Sequence, residues 1–170
     1  MKNSIALQST ALPLWFLLLS PSTWLILVLT QFIIVSLVLY AGLKFIDYPD
    51  PPSIWRKSII WNTLYGFISY LIICLFFALT NIPSETSSFG KWVLTNLTVP
   101  LNTNPFSNVF SILFVVICLL FSQTIVYFAN KKLSFRNTQL TLEQKHKASL
   151  CLAIFSAPYI ALFPSILLYS

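Results

Sequence analysis

Long apolar stretches without charge alternate along this chain with short polar connectors. No Asp, Glu, Lys or Arg stands between Lys2 and Lys44, between Lys57 and Glu85, between Lys91 and Lys131, or after Lys147. A helix that crosses a bilayer needs roughly 20 predominantly apolar residues to cover about 30 Å of hydrocarbon. Each interval is long enough to hold one. The pattern predicts an all-α integral membrane protein of four transmembrane helices, at about 23–45, 57–80, 106–129 and 149–169. Residues 1–170 then form a single membrane domain, because little chain is left over for a soluble one.

The first apolar region is too long for one span. Ser20-Pro21-Ser22 divides it, and the segment at about 5–20 is expected to form an N-terminal interfacial or re-entrant helix, with Trp15 and Trp24 near the headgroups. Lys2 followed by an apolar run has the shape of a signal peptide. No A-x-A site follows, however, and the apolar sequence carries straight on, so no cleavage is expected. A crossing by residues 5–20 would make five spans, but the hinge is too short to return one comfortably.

Proline and capping residues punctuate the rest. Pro49, Pro51 and Pro52 make a stiff connector after the first span. Asn81-Ile82-Pro83-Ser84 stops the second span and opens the longest loop, 81–106. The apolar residues Trp92, Val93, Leu94, Leu97, Val99 and Leu101 in that loop are expected to rest on the membrane surface or against helix ends. Thr141-Leu142-Glu143-Gln144 matches a capping box, which starts the last helix. Pro158 and Pro164 then strip the carbonyls of Ile154 and Ile160 of their N–H donors, and kinks are expected.

Composition agrees with the pattern. Hydrophobic residues make up 57% of the chain and charged residues 8%, against about 25% charged in a soluble domain. Mean hydropathy is +0.82. The net charge of +6 would suggest nucleic acid in a soluble protein. Here it follows the connectors, so no nucleic-acid partner is expected. Lys44, Arg56 and Lys57 lie in the first connector, and Lys131, Lys132, Arg136, Lys145 and Lys147 in the third. Lys91 and Lys2 stand alone on the opposite side. By the positive-inside rule the basic connectors are cytoplasmic, in a plasma (inner) membrane, with both termini and loop 81–106 outside. The sequon Asn96-Leu97-Thr98 falls in that external loop.

Candidate chemistry is sparse. Cys74, Cys118 and Cys151 sit in apolar runs with no CxxC and read as small buried hydrophobes. Neither a metal nor a cofactor is expected. Asp47 and Asp50 could together hold Mg²⁺ and a substrate phosphate, but Pro49 lies between them and no third ligand is in sight. His146 could act as a general base with Glu143; in a Lys-His-Lys run it reads as a solvated side chain. No span carries an ionisable residue at its midpoint, which argues against proton relays, ion-coupled carriers and voltage sensing.

Small and polar residues recur at helical spacing instead. Ser58, Asn62, Gly66 and Ser69 mark one face of the second span, Ser111, Cys118 and Ser122 one of the third, and Ser149, Ala153 and Ser156 one of the fourth. Such stripes let helices approach closely and hydrogen-bond. The first expectation is a non-enzymatic membrane component that packs against a partner protein or itself. An alternative is a small-molecule transport or substrate-binding subunit, with the amides of Gln31, Asn62 and Gln123 around a ligand pocket. A lipid head-group-modifying enzyme is the third. Lys131, Lys132 and Arg136 are candidates for contact with anionic lipid.

Overall fold

Helix α1 (Pro21–Phe45, 25 residues) is apolar over most of its length, and Gln31 is the polar side chain that it buries. Its buried positions, Gln31, Val35, Leu39 and Leu43, recur every fourth residue. Leu25, Ile26, Leu29, Ile33 and Leu37 remain exposed. The helix stops in a turn in which Tyr48 N–H bonds the Leu43 carbonyl at 3.0 Å and Asp47 N–H bonds that of Lys44 at 3.1 Å. This is the Schellman ending, which requires a left-handed residue. Asp47 supplies it, with φ 50°, a conformation that Asp and Asn tolerate better than most.

Asp50 then caps α2 (Pro51–Leu79, 29 residues), its side chain accepting from Ser53 N–H at 3.3 Å. Pro51 and Pro52 fall in the first turn, where a missing N–H does no harm. The chain in this computed structural model is described for residues 21–83 and 86–168. The interfacial segment expected at 5–20 lies outside the described residues.

Loop 81–106 is helical from Ser88 to Thr103. A short helix, α3 (Ser88–Val93), runs through a π turn (Leu94–Thr98) into α4 (Val99–Thr103). Pro100 lacks the N–H that would bond the Asn96 carbonyl, and next to it Val99 N–H bonds Leu94, five residues back. Leu97 and Leu101 turn inward against Tyr70, Ile73, Phe77 and Val115, and Thr98 Oγ1 donates to the Thr80 carbonyl at 2.6 Å. The apolar patch thus closes over helix ends. The Asn96 amide of the sequon donates to the Trp92 carbonyl at 2.9 Å and accepts from Asn108 at 3.0 Å.

Helix α5 (Val109–Ala129) is capped by Asn108 and continues through a second π turn, Asn130–Ser134. Helix α6 (Leu142–Phe155) starts from the expected capping box, Thr141 and Gln144 each bonding the other's backbone N–H. It does not run on through Pro158. After 14 residues it gives way to 3₁₀ turns at Tyr159–Leu162 and Ser165–Leu168. The carbonyl of Ile154 that Pro158 leaves without a donor is taken by the Tyr159 hydroxyl at 2.5 Å. Phe163 N–H serves Ile160 at 3.0 Å.

Among the described residues there is no strand, and three helices are long and apolar enough to cross a membrane: Pro21–Phe45, Pro51–Leu79 and Val109–Ser134. At ~1.5 Å per residue the 26 residues of Val109–Ser134 extend for about 39 Å. The 14 of α6 reach only about 21 Å at the same rise. The long helices and α6 form a ring in which α1 touches α2, α2 touches α5, α5 touches α6, and α6 returns to α1. Neighbours are antiparallel. One apolar cluster joins Leu43, Ile54, Phe135, Leu140 and Ala148 at the end that carries the basic connectors. The other joins Phe77, Leu101 and Val115, with Ala161 and Leu162 packed on it, towards the opposite end.

Candidate functional site

The distribution of polarity is inverted relative to a soluble bundle. Gln31, Ser58, Asn62, Ser69, Ser111, Ser122, Asn130, Ser134 and Ser149 are buried, while Leu25, Ile60, Leu75, Ile117, Leu120 and Phe155 are exposed. An apolar exterior of this extent is untenable in water. Within lipid the polar groups must find donors and acceptors inside the bundle, and most do. The hydroxyls of Ser69, Ser122 and Ser156 donate to carbonyls one turn back, at 2.7, 3.0 and 2.6 Å.

Asn62 and Gln31 lie in this interior. Asn62 Nδ2 donates to Ser58 Oγ at 3.3 Å, and Ser58 Oγ donates to the Ile54 carbonyl at 2.8 Å. From α5, Ser134 Oγ makes a short hydrogen bond to Asn62 Oδ1 and lies 3.3 Å from the Ser58 carbonyl. The π turn re-aims the end of α5 so that Ser134 and Asn130 both turn inward. Gln31 is fully buried and its Nε2 reaches the Ser156 carbonyl at 3.5 Å. Its side chain lies across Gly66, where a Cβ would overlap the amide nitrogen and stand 2.9 Å from Cδ. The glycine makes that crossing possible.

Gln123 is placed elsewhere. It is half-buried and lines a groove of about 380 Å³ between α5 and α6, together with Leu120, Thr124, Tyr127, His146 and Leu150. Its Nε2 donates to Ser122 Oγ at 3.4 Å. Gln31 and Asn62 thus share the interior, and Gln123 faces the outer groove. Gln31 Oε1, Gln123 Oε1, Asn130 Oδ1 and Ser149 Oγ are buried with no hydrogen-bond partner.

The basic end holds a cluster that sequence spacing only half reveals. Lys131 Nζ donates to the Tyr127 hydroxyl at 3.1 Å and stands 5.5 Å from that ring's centroid. The same hydroxyl lies 2.6 Å from His146 Nδ1. Lys132 stands over Phe128 at 5.7 Å, and Arg136 is exposed. Tyr127 and Lys131 are four residues apart on one helix and could be paired from sequence. His146 is 19 residues from Tyr127, and only the α5–α6 packing brings it in.

The pairing of His146 with Glu143 considered from sequence is not what forms. Glu143 binds Lys147 at 2.6 Å, and that hydrogen bond, with the lysine's charge, holds the carboxyl below its usual range. Asp47 and Asp50 end one helix and begin the next. Among the described residues, no three His, Cys, Asp or Glu side chains gather as metal ligands would. No protein-family model, no curated protein and no solved structure matches the chain.

Proposed function

We propose that the chain is a four-crossing component of the plasma (inner) membrane that works by packing against a partner protein or a second copy, without catalytic machinery of its own. The observation that carries this is the use made of the interior amides. Asn62 ties α2 to α5 through Ser134, and Gln31 ties α1 to Ser156 across Gly66. They serve as helix-to-helix fasteners.

The fourth crossing, expected at about 149–169, is the broken segment that α6 enters at about Ser149 and that continues through the two 3₁₀ turns. Irregular backbone at membrane depth needs protein cover, which this segment has on one side, Tyr159, Ile160 and Phe163 being exposed on the other. Ala161 and Leu162 pack on the apolar cluster that includes Phe77 and Val115, and the Ser165–Leu168 turn lies against α4. The segment therefore spans the bundle from the basic end to the end closed by α4. Lys44, Arg56, Lys57, Lys131, Lys132, Arg136, Lys145 and Lys147 then face the cytoplasm, where Lys131, Lys132 and Arg136 meet anionic headgroups.

Extraction in mild detergent, with light scattering and chemical crosslinking, tests the packing reading. A stoichiometric partner or a dimer is expected. A monodisperse monomer that crosslinks to nothing in the membrane contradicts it. The unpaired acceptor on Gln31, which shares the interior with Asn62, favours a second reading, a subunit that binds a small polar molecule there. A metabolite that raises the melting temperature of the wild type but not of Asn62→Ala would establish that reading instead.

A further inference from the structure

The groove between α5 and α6 changes character along its length. At the basic end stand Tyr127 and His146, with Lys131 on the Tyr127 hydroxyl. Towards the bundle's middle the lining passes through Thr124 and Gln123 to Leu120, Leu150 and Ile154. We propose that this groove binds one anionic phospholipid, with the phosphate at Lys131 and His146, which the Tyr127 hydroxyl links, and an acyl chain along Leu120, Leu150 and Ile154.

The donors suit a phosphate. A lysine ammonium carries three N–H donors, and Tyr127 takes one. His146 engages its Nδ1 with Tyr127, which leaves Nε2 for a ligand. The nearest carboxylate in sequence, Glu143, is already bound to Lys147 and does not oppose an anion. Charge complementarity at one end and apolar lining at the other select a lipid over a free phosphate, because inorganic phosphate gains nothing from Leu120 or Ile154. The groove opens outward, where a lipid enters laterally. The inference rests on the bundle lying in a bilayer and is independent of whether a protein partner exists.

The test is native mass spectrometry of the detergent-purified full chain, titrated separately with phosphatidylglycerol, phosphatidylcholine and inorganic phosphate. One phosphatidylglycerol is expected to be retained in preference to phosphatidylcholine, and millimolar phosphate does not displace it. Lys131→Gln weakens retention about fivefold, as loss of one cation near an anionic headgroup implies. Leu150→Trp fills the apolar half and reduces it too, whereas Leu25→Trp on the outer face of α1 does not. Circular dichroism of each variant separates lost binding from lost fold.

Equal retention of the two lipids, or unaltered retention in Lys131→Gln at wild-type helicity, overturns the proposal. So does displacement by inorganic phosphate. A chain recovered without detergent would remove the membrane premise along with it. A detergent-requiring chain without lipid preference removes only the groove.

Discussion

Gly66 and Gln31 show how one missing side chain sets a helix crossing. An added methyl at position 66 meets the Gln31 amide, which is fully buried and cannot swing into solvent. Gly66→Ala is therefore expected to lower stability by roughly 1–3 kcal/mol, the usual cost of overpacking, read as a fall in melting temperature in detergent. The Asn62–Ser134 bond is a second such contact. A double-mutant cycle with Asn62→Ala and Ser134→Ala should give a coupling of about 0.6–1.7 kcal/mol, the range of interhelical hydrogen bonds in lipid. Zero coupling would mean the two groups do not cooperate. The stripe of Ser58, Asn62, Gly66 and Ser69 was legible in the sequence because helical spacing alone reveals it. Its partner was not: Ser134 turns inward only because a π turn inserts an extra residue into the register of α5.

In α6 the start was more legible than the end. Thr141 and Gln144 announce α6 through local chemistry, and the structure places the capping box there. The end of α6 depends on what surrounds Pro158. A proline predicts a lost hydrogen bond but does not say whether the helix bends or stops. Here it stops, because the Tyr159 hydroxyl serves the Ile154 carbonyl and the chain can leave the helix at little cost. The two short helices of loop 81–106, α3 and α4, were not expected, although the apolar residues Val93, Leu97 and Leu101 stand at helical spacing; only their resting on the membrane surface or against helix ends was. The turn after α1 gives a prediction of its own. Asp47 holds a left-handed conformation, so Asp47→Val should cost about 1–2 kcal/mol of stability while Asp47→Gly is tolerated. Chemical unfolding of both variants checks this. If both proved equally harmful, the aspartate carboxyl itself would be what the position needs.

For the whole molecule, charge-free length was the most informative sequence feature. It located the three long helices to within a few residues at most ends, and the antiparallel pairing of α1 with α2 and of α5 with α6 follows from short connectors. The meeting of Lys131, Tyr127 and His146 lay beyond it, because pairwise helix packing decides which faces meet. The inward polar and outward apolar arrangement is a property of the assembled bundle, visible only once α1, α2, α5 and α6 are placed side by side.

The proposed topology, four crossings with the basic connectors inside, can be tested directly. Single cysteines at Lys57→Cys, Lys91→Cys, Lys132→Cys and Ser170→Cys, in a chain whose Cys74, Cys118 and Cys151 are replaced by alanine, can be treated in intact cells with a membrane-impermeant maleimide. Labelling at 91 and 170 with protection at 57 and 132 is the predicted result. Labelling at 57 or 132, or protection of 170 together with 132, would contradict it.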